Sequence, residues 1–239
     1  VGKFVRRVII IVLTAETIGF PLGLPVFLQV PEYSVGKSIW VSIFTSVSAF
    51  NNAGFDLFGS TSLIRGVGSV MDTMPDWAYY YMQGYIMLLI VAGGLSFLTI
   101  IELTFQKRKP RQWSSFTKIT LIMTFSLIVL GFGVLMLTDG ISGNITPYQA
   151  LFQSITTRTA GFATFDQSSL SHAGKTVSSF LMFIGGSPIS TAGGIKTTTL
   201  FVMILCVVRF LQGRKISACK REFTSSSIVK TMTLVFMAI

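Results

Sequence analysis

Charge is what this sequence most lacks. Only 12% of its 239 residues are Asp, Glu, Lys or Arg, where a soluble domain carries about 25%. Hydrophobic residues make up 51% and the mean hydropathy is +0.69. That balance excludes an ordinary soluble globule and suits a helical membrane protein, whose spanning helices each need about 20 mostly apolar residues. Histidine occurs once, as His172 in an expected outer loop, and cysteine twice, as Cys206 and Cys219. A metal centre needs several such ligands, so none is expected. Both cysteines fall in or near an expected cytoplasmic helix end, where a reducing compartment disfavours a disulfide. No carboxylate pair, metal cluster or nucleophile constellation appears, so neither an enzyme nor a cofactor is expected. The chain has no initiator Met and no signal-peptide layout. It opens at the foot of one apolar run and stops inside another, which predicts an interior piece of a longer polypeptide.

The net charge of +10 raises nucleic acid as a partner, but the positions of the charges argue for a bilayer. Lys3, Arg6, Arg7, Lys107, Arg108, Lys109, Arg111, Lys118, Arg209, Arg214, Lys215, Lys220, Arg221 and Lys230 flank apolar runs on one side and account for 14 of the 19 basic residues. The other side holds Lys37, Arg65 and Lys175 with Glu32, Asp72, Asp76, Asp139 and Asp166. Basic residues gather on the cytoplasmic face of membrane proteins. A multi-pass protein of the cell membrane is predicted, with the start of this chain inside and no nucleic acid bound.

The first apolar run is Phe4 to Val30, and Pro21, Pro25 and Pro31 are expected to break it near the outer face. Residues 37 to 58 form a shorter stretch with a helical part of about 12 residues, too short to span and suited to a re-entrant segment. It ends at Asn51-Asn52-Ala53-Gly54-Phe55. A polar loop leads through Pro75 to a long run from Trp77 to Phe105, opened by the aromatic belt residues Trp77, Tyr79, Tyr80 and Tyr81. The order then recurs. A run from Phe116 to Leu137 is followed by Thr146-Pro147, an N-cap with Pro at the first helical position. A short helix runs to about Thr157 and ends at Arg158-Thr159-Ala160-Gly161-Phe162. A third long run spans Thr176 to Arg209, and another begins near Ser227. The two Ala-Gly-Phe triplets lie 107 positions apart. An internal repeat of helix, short helix, glycine turn and helix is predicted. One unit covers 1–111, a second 112–219, and 220–239 starts a third. With both ends of each unit inside, both turns are expected at the outer end of a re-entrant dip.

Non-helical backbone at membrane depth persists only inside protein or along a watery cavity. Glycine lets such backbone turn successive carbonyls toward one axis. Carbonyl rings can replace the hydration shell of a cation, and the C-terminal end of a short helix favours one too. The competing account, that both turns are plain helix C-caps, is weakened by their matching positions. Residues 51–55 and 158–162 are therefore the candidate filter, with backbone carbonyls as ion ligands.

The units diverge in their last helices. The first carries Val91-Ala92-Gly93-Gly94-Leu95-Ser96 and continues apolar. The second is interrupted from Gly185 to Thr199, with Gly185, Gly186, Ser187, Pro188, Gly193, Gly194 and Lys196 as candidate gate residues. A lysine inside a membrane run marks a pathway or a partner, and Lys196 could oppose a passing cation. A phosphate-binding loop requires Gly-Lys-Ser/Thr, and Ile195 between Gly194 and Lys196 breaks that pattern. The interruption could instead be a static kink. Arg158, beside the second turn, could hinder cations, or pair with a carboxylate and brace the loop; bracing is expected. Asp56 and Asp166 could draw cations or merely solvate the surface. Glu16 stands mid-helix and needs a partner that the sequence does not name.

Ser48-Ala49-Phe50-Asn51-Asn52-Ala53-Gly54-Phe55, Thr156-Thr157-Arg158-Thr159-Ala160-Gly161-Phe162 and Ser190-Thr191-Ala192-Gly193-Gly194-Ile195-Lys196-Thr197 closely resemble the Trk/Ktr/HKT superfamily of potassium transporters. The bacterial Ktr or Trk membrane subunit is the nearest type. The resemblance implies an all-α integral membrane fold of four helix–pore loop–helix repeats, like that of potassium channels. It makes Gly54 the filter glycine of the second repeat, Gly161 that of the third, and 185–199 the gating loop. It also implies K+ as the transported ion, Na+ as a coupling or regulatory ion, a homodimer, and a cytoplasmic nucleotide-binding regulatory ring. A sodium-preferring member and a non-conducting scaffold on the same fold remain open alternatives. The first repeat and most of the fourth are absent from this chain.

Overall fold

The computed structural model describes residues 2–59, 61–106, 109–213, 217–218, 221–222 and 233. Cys219, Lys107, Arg108 and most of the segment 220–239, expected to begin a further repeat, lie outside the described residues. Among the described residues, eight α-helices carry the fold: α1 (Gly2–Phe27), α2 (Val35–Phe50), α3 (Asp76–Gly94), α4 (Phe97–Thr104), α5 (Ser115–Leu135), α6 (Pro147–Thr156), α7 (His172–Phe183) and α8 (Thr197–Leu211). A hairpin of two-residue strands, β1 (Ser217–Ala218) and β2 (Arg221–Glu222), follows. Gly2–Phe27 and Ser115–Gly140 are each long and apolar enough to cross a bilayer.

α1 runs unbroken through Pro21 and Pro25, contrary to the expected break. α2 packs along this stretch of α1. Ser38, Ser42 and Ser46 recur every four residues on one face, and their hydroxyls donate to the carbonyls of Phe27 (3.0 Å), Phe20 (2.7 Å) and Glu16 (3.0 Å). Gly19 and Gly23 make the approach possible, since an added Cβ would stand 2.0 Å from Ser46 Oγ and 2.8 Å from Ser42 Oγ. Small residues of this kind let membrane helices pack closely. α2 has 16 residues rather than about 12. Ser34 starts it earlier, its hydroxyl accepting from the Lys37 amide at 3.3 Å.

The run from Trp77 to Phe105 is not one helix. α3 stops at Gly94, and α4 leaves it at 100°. The second unit is interrupted between α7 and α8, but over a shorter stretch than the expected Gly185 to Thr199, because Thr197–Thr199 already form the first turn of α8. The two breaks satisfy each other: the amides of Ser187 and Thr191 donate to the terminal carbonyls of α3 at Gly94 (3.0 Å) and Gly93 (3.2 Å), and the Phe97 amide of α4 donates to the Ile189 carbonyl (2.9 Å). Backbone groups orphaned at helix ends need such partners. His172 is the first residue of α7 rather than part of a loop, with Ser171 as the cap.

Two acids missed as structural residues tie the elements. Glu102 of α4 accepts from the Ser114 amide (2.9 Å), the Ser114 hydroxyl (2.7 Å) and the Thr117 hydroxyl (2.5 Å), at the start of α5. A helix N-terminus favours a carboxylate. Asp139, fully buried in a π turn at Met136–Gly140, accepts from the Ser171 amide (2.7 Å) and Asn144 Nδ2 (3.2 Å), joining the end of α5 to α7. The larger apolar core joins α1, α2 and α3 to α6 through residues such as Phe27, Phe50, Ile86 and Phe152.

Candidate functional site

α2 runs antiparallel to α1 and ends level with its middle. Asn51 Nδ2 donates to Glu16 Oε1 at 2.8 Å, which supplies the partner that mid-helix Glu16 requires. The first turn therefore starts at the deep end of the dip, not at its outer end as expected. A re-entrant helix delivers its C-terminus to the middle of its neighbours, so the following backbone must climb back from there. Thr146 caps α6 with its hydroxyl, accepting from the Gln149 amide at 3.3 Å, and Gln149 returns the bond, Pro147 filling the first helical position. α6 ends at Thr156, and the second turn follows.

The two turns have the same backbone. Asn52 and Gly54 have φ of +51° and +73°; Thr159 and Gly161, at matching positions, have +75° and +95°. Each turn is closed by a hydroxyl from the preceding helix: Ser48 Oγ donates to the Phe55 carbonyl (2.6 Å) and Thr156 Oγ1 to the Phe162 carbonyl (2.8 Å). No donor among the described residues reaches the carbonyls of Asn52, Ala53, Gly54, Thr159, Ala160 or Gly161. The turns also touch. An added Cβ on Gly54 would stand 2.0 Å from the Ala160 carbonyl oxygen. A cavity of about 360 Å³ opens on the second turn, lined by Gln153, Thr157, Thr159, Ala160, Gly161 and Phe162 among others.

The segment 184–196 folds back on itself. The Gly185 amide donates to the Ile195 carbonyl (3.0 Å), the Ile195 amide to the Phe183 carbonyl (3.1 Å) and the Thr197 amide to the Gly186 carbonyl (3.1 Å). Gly185 must be glycine, because a Cβ there would stand 1.8 Å from the Gly193 carbonyl oxygen. The segment reaches both turns. Asn52 Nδ2 donates to Thr191 Oγ1 at 2.9 Å, and the Gly193 amide donates to Thr159 Oγ1 at 3.1 Å. Lys196 turns its ammonium group onto its own loop, donating to the Ala192 carbonyl at 2.7 Å.

Arg158 departs from expectation. It is 7% exposed, no carboxylate among the described residues pairs with it, and its Nε is buried without a hydrogen-bond partner. It sits instead beside Asn52, Thr124 and Gly186 around a very small cavity. Asp56 and Asp166 shape their own loops. Asp56 accepts from the Phe58 amide (3.1 Å) and Ser62 hydroxyl (2.5 Å), and Asp166 from the Ser168 amide (2.9 Å) and hydroxyl (2.6 Å). Those two donors hold the Asp166 carboxyl below the usual carboxylate range. Among the described residues no group of three or more His, Cys, Asp or Glu could hold a metal ion. Thr191 was not among the residues singled out in the sequence; nothing in a Ser-Thr-Ala-Gly-Gly string marks which hydroxyl meets a distant helix end.

The TrkH family model, described as a cation transport protein, matches residues 1–234. The chain belongs to the TrkH family. Over 218 residues it is 34% identical to the potassium/sodium uptake protein NtpJ of Enterococcus hirae, covering 88% of this chain and 46% of that protein. Over 206 residues it is 35% identical to the Ktr system potassium uptake protein D of Bacillus subtilis, covering 82% of this chain and 43% of that one. The crystal structure of the potassium transporter TrkH from Vibrio parahaemolyticus has the same fold, with a TM-score of 0.66 at 18% identity over 94% of this chain and 46% of that chain. The chain thus spans somewhat under half the length of these relatives. It is an all-α multi-pass membrane protein of a cation transporter family, which is not a class of enzymes.

Proposed function

We propose that this chain supplies two adjoining sides of a potassium pathway in a membrane transport subunit whose remaining sides come from further repeats. The observation that carries the reading is the pair of matching turns at the deep ends of α2 and α6, in contact with each other, with carbonyls that no donor among the described residues occupies. Such carbonyls can stand in for the water around K+, and two helix C-termini add negative potential. The segment 185–199 is the gate: it lies against both turns and moves aside for conduction. The word "system" in the name of the Bacillus relative supports a subunit that works with other components, here a homodimer regulated by a cytoplasmic nucleotide-binding ring. Na+ acts as a coupling or regulatory ion. The test is K+ and Na+ uptake by the full-length subunit in cells lacking their own potassium uptake. Uptake that prefers K+ and is lost in Gly54→Ser is expected. Absence of flux from a folded, membrane-inserted subunit would establish a scaffold instead. Preference for Na+ would establish the sodium reading instead; the name of the Enterococcus relative carries both ions.

A further inference from the structure

Each filter turn holds one non-glycine residue in the left-handed region, Asn52 at φ +51° and Thr159 at φ +75°. Asparagine tolerates that region, whereas a β-branched threonine there is a true outlier. Strained backbone of this kind lasts only where its surroundings over-determine it. In both turns the side chain of the left-handed residue is the one bonded to the segment between α7 and α8. Asn52 Nδ2 donates to Thr191 Oγ1 (2.9 Å), and Thr159 Oγ1 accepts from the Gly193 amide (3.1 Å). Two strained residues at matching positions, each tied to the same segment, would be a coincidence if that segment only blocked the pathway.

We infer that the gate segment also holds the filter in shape, with Thr191, Asn52 and Thr159 as specificity-determining positioning residues; the inference rests on the potassium-pathway reading above. Thr191 is the main junction. Its hydroxyl accepts from Asn52 and lies within donating distance of two helix-end carbonyls, Phe50 (3.0 Å) and Gly93 (2.9 Å). One proton serves both, so the hydroxyl sits between them. There is no slack around it: a Cβ on Gly93 would stand 1.7 Å from the Phe50 carbonyl oxygen and 2.9 Å from Thr191 Oγ1. Conduction then requires the segment to move without breaking these two ties; where they break, Asn52 and Thr159 lose their restraints together, and the adjoining carbonyls of Ala53 and Ala160 lose their fixed spacing. Gating and ion preference are therefore coupled through two hydrogen bonds.

The experiment measures the ratio of K+ to Na+ uptake in the full-length subunit carrying Thr191→Val, which keeps the shape and removes the hydroxyl. Losing a bond of this kind shifts an equilibrium by about fivefold. A fall of that order in the ratio is expected, with a rise in uptake that does not need the regulatory partner. Thr191→Ser restores the hydroxyl and is expected to recover the ratio. Where Thr191→Val fails to reach the membrane, the ratio is read on Thr159→Val, which severs only the second tie and is expected to lower it in the same direction. An unchanged ratio in whichever valine variant is folded overturns the inference. Deletion of Ser187–Thr191 tests the gate itself. Lost flux in a folded deletion variant removes the gate, whereas raised flux with an unchanged ratio keeps the gate and removes the coupling.

Discussion

The first and second turns share a backbone and differ in almost everything around it. Phe55 is 70% exposed, while Phe162, its counterpart, is 1% exposed and part of the core. Gly54 is pressed onto the Ala160 carbonyl, whereas a Cβ on Gly161 would meet only the Gly54 Cα, at an ordinary 3.5 Å. Asn52 reaches the segment between α7 and α8 by donating from its side chain, and Thr159 by accepting with its own. The shared part is what carbonyl ligation needs. Side chains are free to differ where they only hold that backbone from behind.

The sharpest way to break this comparison is at the glycines. Both positions have positive φ, so a side chain is strained at either, by about 1–3 kcal/mol. Only Gly54→Ser also meets a carbonyl oxygen. Gly54→Ser is expected to lower K+ uptake at least about tenfold and Gly161→Ser by less, read as initial uptake rates at equal expression. Gly140→Ser is the control and should be mild, since its Cβ would meet only the flexible end of Met136. Equal losses at Gly54 and Gly161 would show that contact between the turns is unimportant.

A second test separates packing from exposure. Phe162→Ala removes a fully buried ring and is expected to destabilise the folded subunit by about 3 kcal/mol, measured by thermal unfolding in detergent. Phe55→Ala should stay within about 0.5 kcal/mol in the same assay.

A smaller effect is expected where only the first turn has a brace. Glu16→Ala removes one of the two acceptors of Asn51 Nδ2, leaving the Val47 carbonyl, and should destabilise by about 1 kcal/mol, with Glu16→Gln, which keeps a carbonyl oxygen, largely restoring stability. Equal losses in the two variants would mean that the acid serves something other than Asn51.

The smallest effect is a titration beyond the second turn. The Asp166 carboxyl lies below its usual 3.8 because the Ser168 hydroxyl and amide donate to it. A depressed carboxyl stabilises the loop above its unfolded pKa, and the contribution is lost as pH falls through the folded value. Hydrogen-exchange protection of the Ser168 amide, corrected for intrinsic rate, should be flat from about pH 8 to 5 and fall below about pH 4. Protection that fell between pH 7 and 6 would assign the loop to another group.

Much of this architecture was legible in the sequence. Apolar run lengths separated the long α1 and α5 from the short α2 and α6, and the Thr146-Pro147 cap placed the start of α6. Spacing paired the two Ala-Gly-Phe turns. What stayed illegible is mostly what one unit does for the other. The Gly93-Gly94 break in α3 has no local cause strong enough to read, because its partners are the amides of Ser187 and Thr191, nearly a hundred residues away. Pro21 and Pro25 looked like breakers, yet α1 continues through both. Arg158 looked like half of an ion pair, and no local pattern announces a buried arginine without one.

The serine ladder between α1 and α2 has one more consequence. Three hydroxyls at a four-residue spacing meet three carbonyls along a single line, so a slide of one residue loses all three bonds at once. The hairpin behaves as a key with one seating depth rather than as two greasy rods free to creep in lipid. Because these contacts join residues 16–27 to residues 38–46, the seating is set within one hairpin and needs nothing from the second turn. Asn51 then arrives opposite Glu16 already aimed.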